Sequence, residues 1–230
     1  MNLITKHMRL QFSSYGDFCT CPIYIMTVHI IGDSHTDIYA GSQKCLVHAV
    51  GPITMFRWGR DGVHTILCMK NVNVKKDDIM VFVAGEIDCR CHIHPQIQQK
   101  SRTEEEVILS LASEYVDALV TFHNVSGVYV VVRGVVAPMD AKYHNDCNYP
   151  IRGSLEERVR WRKLLNKHLQ RLCIEHGLLY LPSPAWSESI DGVMLFEKSD
   201  GVIHISQSQQ HMELATDELF TLLEQAHIAN

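Results

Sequence analysis

Short apolar runs rich in β-branched residues recur along the chain, with room for a helix between most of them. Their near-continuous hydrophobicity predicts strands that are buried on both faces of a sheet, because a half-exposed strand would instead alternate apolar and polar residues. The predicted strands are Ile23–Ile31, Leu46–Val50, Ile79–Ala84, Val128–Val132 and Leu178–Leu181.

Three segments have apolar residues at helical spacing, and each begins with a Ser or Thr that is followed three residues later by Glu or Gln. This pattern is a capping box, in which each side chain bonds a backbone N–H group of the first helical turn. The boxes are Thr103 with Glu106, Ser154 with Glu157, and Ser206 with Gln209. Gly177 is placed to end the second helix. For Arg57–Met69 we expect a loop and a short helix.

Strands that alternate with helices predict a three-layer α/β/α fold with a doubly wound, mainly parallel five-stranded sheet of flavodoxin-like order. We expect one domain over residues 1–230, with residues 1–22 as an N-terminal extension. Residues 134–153 have neither helical nor strand periodicity, and loops of this length in compact domains are often binding loops. Tyr143 in this loop is therefore a candidate substrate contact.

Composition narrows the class of protein. A net charge of -5 and a pI of about 6.3 argue against a nucleic-acid-binding protein. No run approaches the roughly 18 apolar residues of a membrane span, and no signal-peptide pattern is present. The eight cysteines are scattered rather than arranged as a disulfide framework. We expect a soluble cytoplasmic protein; its oligomeric state is left open.

Unusual residues follow the predicted strands at the end where doubly wound sheets bind ligands. A serine at such a turn is presented on a rigid base, and backbone N–H groups beside it can stabilise a developing negative charge. The segments are Gly32-Asp33-Ser34, Gly51-Pro52 and Gly85-Glu86-Ile87-Asp88-Cys89-Arg90, together with Asp200 and His204 before the last helix.

This order of segments resembles the SGNH/GDSL hydrolase family over most of the chain. The resemblance implies that Ser34 is the nucleophile of an acyl-transfer reaction and that His204 is its general base. It also implies that Asp200 orients His204, and that Gly51 and the Ser34 backbone form part of the oxyanion hole. No cofactor is expected.

Two departures from the family pattern affect the predicted site. The family's Asn, a side-chain donor of the oxyanion hole, falls on Ile87, which has no donor. Asp200 and His204 are separated by three residues instead of two. Arg90 is our candidate for the missing donor, because a guanidinium carries several N–H groups and a positive charge.

The function predicted from these residues is a serine esterase or acyltransferase acting on O-acyl groups, most plausibly O-acetyl groups of a sugar or glycan. Trp58, flanked by Arg57 and Arg60, is a candidate sugar-stacking platform. The other candidate substrate contacts are Asp33, His35, Arg57, Glu86 and Asp88. The alternatives are another sugar-directed group transferase, such as a methyltransferase, and a non-catalytic glycan-binding module.

A second cluster, Cys89-Arg90-Cys91-His92-Ile93-His94, contains residue types that bind zinc. Its Cys-x-Cys spacing is not the usual one, and no second pair follows, so no metal site is predicted. An extended backbone would place Cys89 and Cys91 on one face and Arg90 on the other. The basic run from Arg158 to Arg171 is interpreted as the solvated face of a helix.

Overall fold

A single parallel sheet forms the centre of the molecule. The computed structural model describes residues 26–100, 102–140 and 149–228. The strands are β1 (Val28–Gly32), β2 (Leu46–Ala49), β3 (Ile79–Val83), β4 (Tyr129–Arg133) and β5 (Leu179–Leu181). Their order is β2-β1-β3-β4-β5, and every neighbouring pair is parallel. The predicted α/β class and the flavodoxin-like strand order are confirmed.

Helices cover the sheet. In chain order the described helices are α1 (Met55–Asp61), α2 (Val63–Met69), α3 (Ile93–Lys100), α4 (Glu104–Ser126), α5 (Leu155–His176) and α6 (Gln209–Gln225). The predicted capping boxes at Thr103 and Ser154 are both present, and Gly177 ends α5 in the left-handed conformation. These local signals therefore located both ends of α5.

The predicted start of the last helix at Ser206 is wrong by two residues. Ser208 is the N-cap of α6, and its side chain accepts a hydrogen bond from the His211 N–H group. The Ser206 N–H group instead donates to the Lys198 carbonyl at 2.8 Å. This bond holds Ser206 against the preceding loop, so the helix begins only after it.

The two faces of the sheet pack into separate apolar cores. Met80 and Phe82 of β3 belong to a core that also contains residues of α1, α2, α4 and α5. Ile79 and Val81 belong to a second core, under α6. Alternate residues of β3 thus point to opposite faces and are all buried, as the continuous apolar run predicts.

Trp58 lies in the first of these cores, and its predicted role as a sugar-stacking platform is wrong. Its side chain is 0 % exposed and packs edge-on against Phe82, with ring centroids 5.4 Å apart. The expected loop and short helix over Arg57–Met69 are instead two short helices. They meet at Gly62, whose φ of +79° favours glycine. α1 turns Trp58 toward the sheet and leaves Arg57 exposed.

Some predictions lie outside the described residues. These are the N-terminal extension 1–22, the beginning of the first apolar run at Ile23, and Tyr143. Of the predicted loop, the structure describes 134–140 and 149–153. Among the described helices, none has both the length and the apolarity needed to span a bilayer.

Gly32 provides a test of how tightly β1 and β3 pack at the end of the sheet. A Cβ atom at Gly32 would lie 1.9 Å from the Val83 carbonyl oxygen, whereas one at Gly177 would meet nothing within 4 Å. We expect Gly177→Ala to cost about 1 kcal/mol through its positive φ. Gly32→Ala should cost about 3 kcal/mol or more, because backbone must move. Urea unfolding measures both values, and equal losses would contradict the close approach.

Candidate active site

The carboxyl end of β1 places Ser34 at the edge of the sheet. Gly32, the last residue of β1, is in register with Ala49 of β2 and Val83 of β3, so the three strands end together. Ser34 opens a 3₁₀ turn over Ser34–Tyr39 and its side chain is exposed. The predicted location of Ser34, at the end of a buried strand, is confirmed.

Asp33 fixes the conformation of the turn that carries Ser34. Its Oδ1 atom accepts a hydrogen bond from the His35 N–H group at 2.9 Å, and its carbonyl accepts one from the Thr36 hydroxyl at 2.8 Å. Asp33 is buried, and burial raises the pKa of its carboxyl group to about 6, although the nearby His35 opposes this. Asp33 therefore has a supporting position under Ser34.

The loop that carries His204 folds back on Asp200. Asp200 Oδ1 accepts hydrogen bonds from the backbone N–H groups of Val202 at 2.8 Å and His204 at 3.2 Å. The Asp200 N–H group donates to the His204 carbonyl at 2.9 Å. Gly201 has a φ of +85°, a conformation that favours glycine. This tight loop accommodates the extra residue between Asp200 and His204.

Ser34, His204 and Asp200 form one hydrogen-bonded chain. The Ser34 Oγ atom lies 2.7 Å from His204 Nε2, and His204 Nδ1 lies 2.8 Å from Asp200 Oδ2. An ionised carboxylate can only accept, so Nδ1 carries the proton and Nε2 is free to accept from the serine hydroxyl. The structure thus brings together three residues that are up to 170 positions apart in the sequence.

The electrostatics of this chain favour a neutral imidazole beside a charged carboxylate. Burial lowers the pKa of His204, the charge of His35 lowers it further, and Asp200 opposes both effects. Burial by itself would raise the pKa of Asp200, but hydrogen bonds from His204 and the Val202 N–H group leave it below its ordinary value. A neutral imidazole can take up the serine proton.

His35 is a second imidazole directly beside His204. The two ring centroids are 4.8 Å apart, and His35 Nε2 lies 3.7 Å from Glu86 Oε2, an ion-pair distance. Burial would lower the pKa of His35, but the charges of Asp33 and Glu86 outweigh it and raise that pKa. His35 therefore carries more positive charge near neutral pH than a free histidine does.

Arg90 holds Glu86 in place. Its Nε and Nη2 atoms donate to the two Glu86 carboxylate oxygens at 2.7 Å and 3.0 Å, and Nη1 donates to the Tyr149 carbonyl. Burial opposes ionisation of Glu86, but the bonds and charges of His35 and Arg90 lower its pKa to about 2. The Arg90 guanidinium is thus directed at Glu86 rather than at Ser34, which does not support the expected direct donation to the oxyanion.

Gly51 was predicted to form part of the oxyanion hole, and Ile87 is at the position that the resemblance assigns to an Asn donor. Gly51 follows β2 at the same edge of the sheet as Ser34, with a φ of +87°, and is exposed. Val50 next to it donates its N–H group to the Gly32 carbonyl at 2.9 Å, which ties this turn to the end of β1. Ile87 is buried and offers no side-chain donor. The position that the resemblance assigns to the Asn therefore supplies no side-chain donor.

Two predicted substrate contacts lie elsewhere. Arg57 is exposed on α1 and pairs with Asp61 at 3.2 Å. Asp88 is buried, and its Oδ2 atom accepts a hydrogen bond from the Met55 N–H group at 2.8 Å. Neither lines the cavity beside Ser34. Asp88 instead fixes the beginning of α1 against the segment after β3.

The cysteine and histidine cluster is helical. Residues Asp88–His92 form a π-helical turn that continues into α3, so the expected extended alternation is wrong. Cys89, Arg90 and Cys91 are all buried together, and burial raises the pKa of the Cys91 thiol to about 11. In the part of the chain that the structure describes, no group of three or more His, Cys, Asp or Glu residues is placed to hold a metal ion.

The basic run on α5 is only partly a solvated face. Arg158 and Arg162 are buried, whereas Arg160 is exposed and pairs with Glu104. Arg158 Nη1 donates to the Met139 carbonyl at 2.9 Å. Two of the basic side chains therefore hold α5 against neighbouring segments.

Two residues beside Ser34 were not among the sequence candidates. Tyr39 and Arg133 line the cavity that Ser34 and His204 border. Arg133 is the last residue of β4, and a charged residue directly after a buried apolar run, at the ligand-binding end of the sheet, is a usable sequence signal. Tyr39 has no such signal, because it is apolar in pattern and lies in a core.

Comparisons with known proteins show which solved structures share the fold of this chain. No family model matches the chain, and no curated protein matches its sequence. A Streptococcus pneumonia protein named for platelet activating factor is 13% identical, with 88% of this chain and 86% of that chain covered and a TM-score of 0.57. A GDSL-like lipase from Bacteroides thetaiotaomicron is 9% identical, with 87% and 88% covered and a TM-score of 0.55.

A Bacteroides fragilis protein described as an acylhydrolase is 11% identical, with 87% of each chain covered and a TM-score of 0.54. The fold is SGNH hydrolase-like. At these identities the likeness establishes the fold alone, and chemistry has to be argued from the residues of the site. That the segment Gly-Glu-Ile-Asp-Cys-Arg is a variant of the family's Gly-x-Asn-Asp block stays a prediction.

Glu86 is predicted to control acid stability. The fold lowers the pKa of Glu86 from its ordinary value of 4.5 to about 2. Its contribution is therefore fully present above pH 4.5 and is lost as the pH falls toward 2. We expect Glu86→Gln to lower the free energy of unfolding at pH 7 by about 3 kcal/mol or more, since it removes the buried carboxylate that pairs with both Arg90 and His35. The variant should also flatten the pH dependence below 4.5.

Urea unfolding at a series of pH values measures this effect. Glu197→Gln, at an exposed carboxylate, is the matched control and should change the free energy of unfolding by less than about 0.5 kcal/mol. Curves for Glu86→Gln and the native protein that stay parallel from pH 7 to pH 3 would refute this account of Glu86.

Proposed function

We propose that the protein is a serine acylhydrolase in which Ser34 is the nucleophile, His204 the general base and Asp200 the residue that orients His204. The observation that carries the proposal is the hydrogen-bonded chain through the three side chains, with distances of 2.7 Å and 2.8 Å. The SGNH hydrolase-like fold supports it, because acylhydrolases and a GDSL-like lipase share that fold.

The proposed reaction has two steps. His204 Nε2 accepts the Ser34 proton while Oγ attacks an ester carbonyl, and the imidazolium formed is stabilised by Asp200. The tetrahedral intermediate collapses, His204 returns the proton to the leaving alcohol, and an acyl-Ser34 remains. Water, or a sugar hydroxyl in an acyltransferase, then attacks the acyl group with His204 again as base, the bond from the acyl carbon to Ser34 Oγ breaks, and His204 returns the proton to Oγ.

Stabilisation of the oxyanion is assigned to backbone N–H groups and to a nearby positive charge. Ser34 is the first residue of its 3₁₀ turn, where an N–H group has no preceding carbonyl of the turn to bond. Gly51 is proposed to supply the second N–H group. In place of the missing Asn we propose the charge of His35, held by Glu86 and, through it, by Arg90. Arg90 is then a positioning residue.

For the substrate we propose an O-acyl group, with an O-acetyl group on a sugar or glycan as the more specific prediction. The polar residues around Ser34, among them His35, Asp37 and His204, support a hydrophilic substrate. The burial of Trp58 removes one argument for a sugar. The bond between Ser34 and His204 favours acyl transfer over methyl transfer, because it prepares a nucleophile on the protein itself.

The serine mechanism is tested with 4-nitrophenyl acetate. We expect Ser34→Ala to lower kcat by at least about 10³-fold and Asp200→Asn by about 10³- to 10⁴-fold, because the amide no longer stabilises the imidazolium. Ser110→Ala, on α4, is the control and should retain the native rate. Full activity in a folded Ser34→Ala variant would exclude this mechanism.

The pH profile tests the contact between His35 and His204. Since burial and His35 lower the pKa of His204, the rate should rise with pH, and the midpoint of the rise should lie below the ordinary histidine value of 6.5. Replacing the charged neighbour, in His35→Gln, removes one of the two lowering effects, so the acid limb of kcat/KM should move to higher pH. An unchanged limb, measured from pH 4 to 8, would show that the His35 charge does not act on the base.

A further inference from the structure

A cavity beside Ser34 is lined in part by a buried cation, Arg133. The space between its walls is about 370 Å³ when the open solvent at its mouth is counted, and the enclosed part is far smaller. Ser34 and His204 border it, and Val83, Val136 and Ile205 supply apolar wall. Its polar wall includes Tyr39 and Arg133, which the proposed mechanism does not use. Ser34, the proposed nucleophile, and Arg133 thus line the same cavity, and Arg133 has no role in the proposed reaction.

Arg133 is incompletely paired. It is 4 % exposed, and its Nη2 atom lies 3.3 Å from Glu218 Oε2 of α6, a carboxylate that is itself about a third exposed. Its Nη1 atom is buried and has no hydrogen-bond partner in the structure as described. A buried guanidinium nitrogen without an acceptor is costly, so an acceptor from outside the chain would be bound favourably there.

Tyr39 adds a second open donor to the same wall. Its side chain is 0 % exposed, and its hydroxyl group also has no hydrogen-bond partner within the described part of the chain. Burial raises the pKa of Tyr39, against the nearby charge of Arg133, so the phenol keeps its proton. A protonated phenol and a guanidinium side by side offer two donors to one acceptor group.

We propose that this cavity binds a carboxylate carried by the acyl group of the substrate, with Arg133 and Tyr39 as its donors. The proposal rests on the serine acylhydrolase function and names its substrate class: esters of short dicarboxylic acids. A carboxylate is planar and compact, and its two oxygens match a guanidinium and a neighbouring hydroxyl.

The charges that face the cavity are compatible with an anion. Arg133 and His35 are the cations, and Asp37 is the carboxylate that also lines the wall. Asp37 Oδ2 accepts a hydrogen bond from the Gln207 side chain at 3.4 Å. Glu218 contacts the Arg133 guanidinium through Nη2, and Nη1 has no hydrogen-bond partner among the described residues.

Two esters with acyl groups of matched shape test the proposal. Ethyl hydrogen succinate ends in a carboxylate, and ethyl 4-methylvalerate ends in a neutral branch of the same outline. Their hydrolysis is followed in a pH-stat at pH 7. We expect a kcat/KM at least about tenfold higher for the succinate ester, the size expected for one charge-assisted hydrogen bond.

Variants locate the preference. The ratio of the two kcat/KM values should fall to about one in Arg133→Met and by severalfold in Tyr39→Phe, which keeps the shape of the side chain. Glu218→Gln removes a competing carboxylate and should raise the ratio. Arg171→Met, at an exposed arginine on α5, is the control and should leave the ratio unchanged. Because a ratio does not depend on the folded fraction, a destabilised variant still gives an answer.

Failure of this proposal and failure of the serine mechanism are distinguishable. Equal kcat/KM values for the two esters in the native protein, with both activities lost in Ser34→Ala, would overturn the carboxylate site and leave the mechanism standing. If neither ester is hydrolysed, thermal unfolding decides. Ethyl hydrogen succinate should raise the Tm of Ser34→Ala but not of the Ser34→Ala, Arg133→Met double variant, and equal Tm shifts, or none, would overturn the site.

Discussion

Four buried ionisable groups beneath Ser34 constrain the rest of the site: Asp33, His35, Glu86 and Arg90. None is more than 8 % exposed. Removing one such charge from water costs several kcal/mol unless an opposite charge lies beside it. The four groups alternate in sign, from Asp33 through His35 and Glu86 to Arg90, so each cation has an anionic neighbour. The turn after β1 and the segment after β3 must therefore fold together, and their packing fixes the position of Ser34.

This buried cluster contacts His204 through His35. Its ring contacts that of His204, and its charge helps to keep His204 neutral, while Asp200 limits the effect from the other side. The His204 ring thus lies between the His35 ring and the Asp200 carboxylate of its own loop. That loop needs Gly201 at positive φ to close over the extra residue, which explains how a departure from the family spacing still yields the hydrogen bond.

Sequence patterns predicted the parts of the structure that depend on local contacts or on one hydrophobic periodicity. Continuous apolar runs indicate strands covered on both faces, and the box at Ser154 depends on contacts within one helical turn. Trp58 and Arg90 were misplaced because burial of a long side chain depends on which helix covers it. Ser206 and Ser208 can both cap a helix as far as the local sequence shows. The hydrogen bond from the Ser206 N–H group to the Lys198 carbonyl, outside the helix, is what leaves Ser208 as the cap.

The two cations around Ser34 are balanced in different ways, and this difference separates reactivity from specificity. His35 is surrounded by buried anions that belong to the fold, so its charge is satisfied before any substrate arrives. Among the described residues, Arg133 pairs with one partly exposed carboxylate, that of Glu218, and its Nη1 atom has no acceptor. A charge that the fold satisfies can act on a neighbour's pKa without binding anything, whereas a charge left open at a cavity wall gains most from a ligand. Reaction rate and substrate choice are therefore expected to respond to different residues, although both residues lie within one cavity.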